Sequence, residues 1–279
     1  MVVLDISIKH STGDLEDLFG YSPNEVENES RIKAIDSTNL IFALEYFETF
    51  LDESFKVNVK DLPCSIIGDK EISRFIILSK TFESHPNYPR KLGELTSYML
   101  QESFNVGYND FEFDFSKISS IDKFLMSVSG LDTKPMNVFI NGGLGDYCAS
   151  NCNHLNLTVS GNIGLSFGFK SEHMTTYVKG NVDEYFNYHA QKSTAVIDGN
   201  TGNNFADSSE FVTAVILGEA EFEGVLAPYA KNFRGYLKRE YEFDNYSSRT
   251  GSVCFSGKDA QDKPVYQLLV KEFERRFEE

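Results

Sequence analysis

The chain has 279 residues, enough for one large domain or two ordinary ones, and 41% of them are hydrophobic and 24% charged. Its formal net charge of −16 makes a surface that repels phosphate backbones, which argues against nucleic acid as a partner. No apolar run approaches the roughly 20 residues needed to cross a bilayer, and the start MVVLDISIKH lacks the pattern of a secretory signal. We therefore expect a cytoplasmic protein with free thiols and no membrane partner.

Residues 1–136 are predicted to form a domain of mixed α and β structure whose function the sequence leaves open. The segments at 2–8, 56–60 and 111–115 alternate apolar and polar residues, as strands do. Ser37-Thr38-Asn39 has the composition of a cap and predicts a helix with apolar residues at 40, 44, 47, 51 and 55. Further helices are predicted over 92–104 and 121–128.

Residues 137–223 carry an internal repeat of 19 residues. Its clearest mark is a column of evenly spaced glycines: Gly142, Gly161, Gly180, Gly199 and Gly218. Two residues before each glycine stands a β-branched residue: Ile140, Val159, Val178, Ile197 and Ile216. Six residues after the first four glycines come Cys148, Phe167, Phe186 and Phe205. Columns this regular predict one supersecondary unit that repeats and stacks.

The unit predicts a turn of a β-helix: a short strand, a glycine corner, a second short segment and a loop. Stacking places equal positions about 4.8 Å apart in parallel ladders and buries the β-branched columns, so Val178 and Ile197 are expected inside. Glycine is expected to supply a corner with φ > 0, and Asn162, Asn181 and Asn200 to tolerate it and stack as an amide ladder. The fold class is α+β with a central right-handed parallel β-helix, flanked by an N-terminal α/β region and C-terminal helices.

Residues 224–279 are predicted to form a C-terminal helical cap. The segment Val225–Glu242 is mostly helical in pattern and is expected to cover the Gly218 end of the coil, with the N-terminal domain covering the Gly142 turn. Pro264–Glu278 is amphipathic, with one apolar face formed by Val265, Leu268, Leu269, Phe273 and Phe277.

Within the repeat, Gly161 to Gly168 follows the pattern G-xx-G-xxx-G, and the units at 142–149 and 199–206 match it with alanine last. This pattern resembles the GXGXG-motif family, which includes the C-terminal domain of the glutamate synthase large subunit, its stand-alone archaeal versions and one of the subunits of formylmethanofuran dehydrogenase. The unit from Gly180 to Asn187 departs from it by losing the second and third glycines. In glutamate synthase this domain is a spacer without catalytic residues. The resemblance therefore implies a scaffold or assembly subunit, without cofactor, that works with a protein partner or as a homo-oligomer.

One cluster carries metal-binding side chains. His154 and His173 each lie twelve residues after a repeat glycine, so stacking places their imidazoles one above the other. With Cys152 they offer three ligands for zinc or iron. The competing interpretation is that Cys148, in the phenylalanine column, fills the core and that the histidines lie on a solvated loop.

Other catalytic classes have less support. The acidic residues Asp146, Asp183, Glu184 and Asp207 fall in different columns rather than in the pairs that sugar-cleaving enzymes use. We predict a non-catalytic scaffold. The alternative is an enzyme, either metal-dependent through the Cys/His cluster or with a site in the N-terminal domain.

Overall fold

A computed structural model describes residues 33–52, 68–218, 227, 229–237, 252–255 and 263–278. Eight parallel strands form one sheet in chain order. They are β1 (Asp110–Asp114), β2 (Met136–Asn141), β3 (Asn153–Val159), β4 (Glu172–Val178), β5 (Thr194–Ile197), β6 (Thr213–Ile216), β7 (Arg234–Leu237) and β8 (Ser252–Phe255). The helices are α1 (Lys33–Asp52), α2 (Asp69–Ser79), α3 (Tyr88–Asn105) and α4 (Lys263–Glu278), with a short 3-10 turn at Lys80–Phe82. The predicted strands at 2–8 and 56–60 lie outside the described residues.

The repeat forms the predicted parallel β-solenoid of about five turns. From β2 to β6, each residue of a strand pairs with the residue 19 positions later, as in Leu155 with Met174 and Thr175 with Thr194. Two shorter ladders keep the same step elsewhere in each turn, one through Ile163 and Val182 and one through Gln191 and Glu210. Val178 pairs with Ile197 and both are fully buried, as predicted.

The sheet continues beyond the regular turns at a different spacing. Asp110 of β1 pairs with Asn137, Thr213 pairs with Arg234 of β7, and Arg234 pairs with Ser252 of β8. The paired residues are more or fewer than 19 positions apart, so the 19-residue period does not reveal these strands. The helix predicted over 225–242 is therefore wrong where the structure describes it, because 234–237 is a strand of the same sheet.

The helix predicted over 121–128 is also wrong. This segment is a turn of the coil that pairs with the following turn: the Lys123 amide donates to the Asp146 carbonyl and the Ser127 amide to the Ser150 carbonyl, both at 2.8 Å. Its apolar spacing resembles a helix, but φ is positive at Lys123, Leu125 and Ser127. The alternating backbone buries Phe124 above the turn that contains Cys148.

The N-terminal helices pack on the first turn of the coil and share its core. Phe47 of α1 packs edge-on against Phe75 of α2 and Tyr88 of α3. Gly93 of α3 lies so close to the backbone of Asp122 that an added Cβ would fall 1.8 Å from its carbonyl oxygen. The predicted cap at Ser37 is wrong because α1 already begins at Lys33, whereas the helix predicted over 92–104 is found as Tyr88–Asn105.

The C-terminal helix packs against the outer face of the sheet. Its Phe273 is buried against a second apolar cluster formed by residues that alternate with the interior columns: Tyr177, Val196, Val215 and Tyr236. The Arg276 guanidinium lies 4.6 Å from the centre of the Tyr177 ring. Pro264–Glu278 is thus helical as predicted, but Leu268 was wrongly assigned to the packed face because 68% of it is exposed.

Candidate functional site

The glycine corner of each turn is held by steric packing rather than by unusual backbone torsion. A Cβ built on Gly199 would lie 2.4 Å from the Gly180 carbonyl oxygen, and one on Gly218 would lie 2.3 Å from that of Gly199. Of the five repeat glycines, only Gly142 has a positive φ. The expected φ > 0 corner is therefore wrong at the other four, where glycine is needed because successive backbones touch.

An asparagine column beside these glycines links one turn to the next. The backbone N–H of Asn181 donates to Asn162 Oδ1 at 2.9 Å, and the backbone N–H of Asn200 donates to Asn181 Oδ1 at 2.8 Å. The predicted amide ladder thus exists in a modified form, since each side-chain oxygen accepts from the backbone of the next turn. These two backbone donors are therefore satisfied inside the protein.

The bend after the corner, which we call the arc, takes the left-handed torsions that four of the five corner glycines do not adopt. In the arc of 147–151, Tyr147, Ala149 and Asn151 have φ between 53° and 58°, and corresponding residues of the next turns repeat this. Their amides pair with neighbouring turns, Tyr147 with the Leu165 carbonyl and Ala149 with that of Phe124, both at 2.8 Å. Asn151, Asn187 and Asn204 belong to a residue type that is enriched in this region, whereas the tyrosine, serine and alanine residues of the arc give no such signal.

The inner side of the arc is filled by a stack of aromatic rings. Phe167 and Phe186 stack with centroids 5.1 Å apart, and Phe186 and Phe205 at 5.2 Å. Cys148 and Phe124 lie in earlier turns of this core, and the Cys148 thiol donates to the Ile121 carbonyl at 3.2 Å. Cys148 therefore fills the core, as the competing interpretation proposed.

The outer side of the arc carries exposed aromatic residues. Tyr147 is 49% exposed and Tyr185 is 38% exposed. Two half-buried rings adjoin them: Tyr188 contacts Tyr185 edge-on and stacks on Phe169 at 5.9 Å. We call these four residues the aromatic band. Exposed tyrosines of this kind are enriched where proteins meet.

The acidic residues of the repeat serve its backbone. Asp146 Oδ1 accepts from the Leu165 amide at 2.9 Å, and Asp183 Oδ1 accepts from the Glu184 amide at 2.8 Å. Asp207 Oδ1 lies 3.3 Å from the Tyr229 amide and 3.1 Å from the Ser208 hydroxyl. Asp146 and Asp207 thus link one turn to the next, and Asp183 binds the backbone of its own turn.

Cys152 belongs to the interior of the coil. It is 1% exposed, and its thiol lies 3.6 Å from the Met174 sulfur. Burial raises the pKa of this thiol to about 12, so it stays protonated at neutral pH. Because the metal-binding form of cysteine is the thiolate, Cys152 is poorly placed to act as a ligand.

His154 and His173 lie outside, one above the other as predicted. Their rings are 4.5 Å apart between centroids and inclined by 3°. His154 Nδ1 lies 4.0 Å from Asp132 Oδ1, and His173 Nδ1 lies 3.7 Å from Glu172 Oε1. Within the described residues, no three His, Cys, Asp or Glu side chains are grouped to hold a metal ion. The structure therefore brings the two histidines together and leaves the predicted third ligand, Cys152, inside the coil.

Asn187 is an unusual buried residue. The repeat pattern marks its position as a departure from the motif but does not predict its environment. It is fully buried at φ 55°, in the column of the third motif glycine, and its Oδ1 lies 2.3 Å from where a Cβ on Gly168 would stand. Neither end of its amide has a hydrogen-bond partner within the described part of the chain. Gly168 in one turn thus makes room for Asn187 in the next.

Comparison of the chain with protein-family models, with curated proteins and with solved structures gives no match. Within the described part of the chain, no helix combines the length and the apolar composition needed to cross a membrane. The assignment of function therefore depends on the chain's own residues and on the motif resemblance.

Proposed function

We propose that this protein is a non-catalytic scaffold or assembly subunit, similar in kind to the GXGXG domain of glutamate synthase. The observation that carries the proposal is that the residues repeated in every turn pack against the same residues of the neighbouring turns. Gly180, Gly199 and Gly218 each pack on the glycine of the preceding turn, and the phenylalanines stack inside. The residues that define the motif are thus occupied by stacking, which is what a rigid spacer requires.

The surface supports a protein partner or a second copy of the chain. The aromatic band offers Tyr147 and Tyr185 on the same column of the arc, two turns apart. Tyrosine contributes a large contact area at low cost in side-chain entropy. We retain the prediction of a cytoplasmic location and the prediction, based on net charge, that nucleic acid is not a partner.

The experiment has a biochemical arm and an assembly arm. The purified full chain should show no glutaminase, synthase or hydrolase turnover by itself. A complex purified from the native host through a tag on the chain should be lost with the double substitution Tyr147→Ala and Tyr185→Ala, and kept with Thr175→Ala on the sheet. Turnover by the isolated chain would contradict the proposal, as would a chain that stays monomeric and unpartnered in its host.

The competing proposal is a metal-dependent enzyme that uses the Cys/His cluster. One observation favours it, the stacked pair of His154 and His173, and one opposes it, the burial of Cys152. A reaction that needs added metal and is abolished by substitution of either histidine would favour the enzyme over the scaffold.

A further inference from the structure

We propose that His154 and His173 form a surface site for one divalent transition-metal ion, such as Zn²⁺, Ni²⁺ or Cu²⁺. The site goes beyond the scaffold role, since it needs neither a partner nor a reaction. The pair is fixed by the sheet, because Asn153 pairs with Glu172 and Leu155 with Met174 on either side of it. The side chains are 19% and 34% exposed, so an ion from solution reaches them.

The surroundings of each ring prepare it as a ligand. Asp132 Oδ1 lies 4.0 Å from Nδ1 of His154, and Nδ1 of His173 lies 3.4 Å from Asn153 Oδ1 and 3.7 Å from Glu172 Oε1. A carboxylate at one ring nitrogen favours the proton there and leaves the lone pair of Nε2 for a metal, the arrangement common around histidine ligands. Asp132 and Glu172 thus lie near the histidines as negative charges that attract a cation, whereas Cys152 is buried in the coil.

The spacing sets what kind of ion fits. Nitrogen ligands bind zinc at about 2.0–2.1 Å, so two nitrogens on one ion lie at most about 4.2 Å apart. The two rings lie face to face, with centroids 4.5 Å apart and planes 3° apart, so their in-plane lone pairs run parallel and both side chains must rotate until these lone pairs converge on one ion. Water completes the coordination. Imidazole ligands suit Zn²⁺, Cu²⁺ and Ni²⁺, whereas Ca²⁺ and Mg²⁺ require oxygen ligands.

In the next turn, the column of the two histidines continues with a lysine. Lys192 follows His173 in the same column, and its Nζ lies 3.3 Å from Glu172 Oε1. Its positive charge opposes a cation and limits the affinity. Replacing Lys192 by histidine removes that charge and adds a third imidazole to the column.

Binding is measured by isothermal titration of the untagged full chain with Zn²⁺ and with Ni²⁺ at pH 7.5. One ion should bind per chain, and His154→Ala or His173→Ala should weaken binding about tenfold or more, which corresponds to 1.4 kcal/mol or more. Cys152→Ala inside the coil and His189→Ala, at an exposed position of the arc 185–189, should leave the affinity unchanged, and Lys192→His should raise it. Circular dichroism of each variant shows whether the coil is intact.

Three results would overturn the site. They are the absence of binding at millimolar metal, binding that survives the double substitution of His154 and His173, and a loss on Cys152→Ala as large as that on His154→Ala in a folded variant. The third result would restore the three-ligand set instead. None of them bears on whether the chain is a scaffold, which the tagged purification tests separately.

Discussion

Each regular turn of the solenoid changes direction at a glycine corner and again along the arc. The two bends differ in backbone torsion and in the residues that form them. At the corner, the glycines after Gly142 keep φ outside the left-handed region and serve only to let two backbones meet. Along the arc, side-chain-bearing residues such as Tyr147 and Ser166 adopt left-handed torsions. Glycine spacing therefore marks where turns touch, and the most unusual backbone lies elsewhere in the repeat.

The largest loss of stability is expected from a substitution in the strands between the two bends. Ile197→Asp places a carboxylate at a fully buried position of β5, and the cost should exceed about 4 kcal/mol because no partner compensates it. Thr194→Asp, on the same strand but half-buried and outward, is the matched control. Denaturant unfolding measures both, and equal midpoints for the two variants would be incompatible with the interior column.

The next largest loss of stability is expected at the glycine corner, and the arc should respond differently. Gly199→Ala adds a Cβ 2.4 Å from backbone that cannot move away cheaply, and the cost should be about 3 kcal/mol. Thermal unfolding measures the change. A midpoint equal to that of the parent would mean that the turns are not in contact at their glycines.

A substitution in the opposite sense should behave differently in the arc. Ser166→Gly removes a Cβ at φ 57°, which relieves about 1–2 kcal/mol of left-handed strain and adds about 0.5–1 kcal/mol of chain entropy on unfolding. The variant should therefore unfold at the same temperature as the parent or slightly higher. Clear destabilisation would contradict the backbone assigned to the arc.

The smallest effect is expected at Asn187. Alanine stands at corresponding positions of two other arcs, at Ala149 and Ala206, with similar φ. Asn187→Ala removes a buried amide without partners, whose burial costs about 1–3 kcal/mol, and loses some packing in exchange. We expect a gain of at most about 1 kcal/mol in unfolding free energy. A large loss would mean that the amide is hydrogen-bonded in solution.

The sequence predicted the register of the regular turns because each column repeats a physical requirement at every step. Outside them the spacing between paired strands changes, as from Thr213 to Arg234, and the same requirement is no longer visible as a period. An apolar spacing typical of helices then misled the prediction at 121–128 and at 234–237. In both segments, pairing with the neighbouring turn overrides the local pattern.

The candidate site was predictable in part for a related reason. His154 and His173 share a column, so stacking alone brings them together. Cys152 stands two residues before His154, where a regular strand would place both on one face. Positive φ at His154 breaks this alternation, so the thiol points inward and the imidazole outward. Asp132 lies outside the repeat, and no spacing rule connects it to His154.

The central structural claim is that equal positions of successive turns are neighbours 19 residues apart. The outward positions Thr175, Thr194 and Thr213 test it, because the sheet pairs the first with the second and the second with the third. Neighbouring parallel strands lie about 4.8 Å apart, within the Cα separation that a disulfide spans, whereas alternate strands exceed the limit of about 7 Å. Cysteines introduced at 175 and 194 should form a disulfide under mild oxidation, seen by peptide mapping, and cysteines at 175 and 213 should not. A disulfide in the second pair, or none in the first, would contradict the solenoid register.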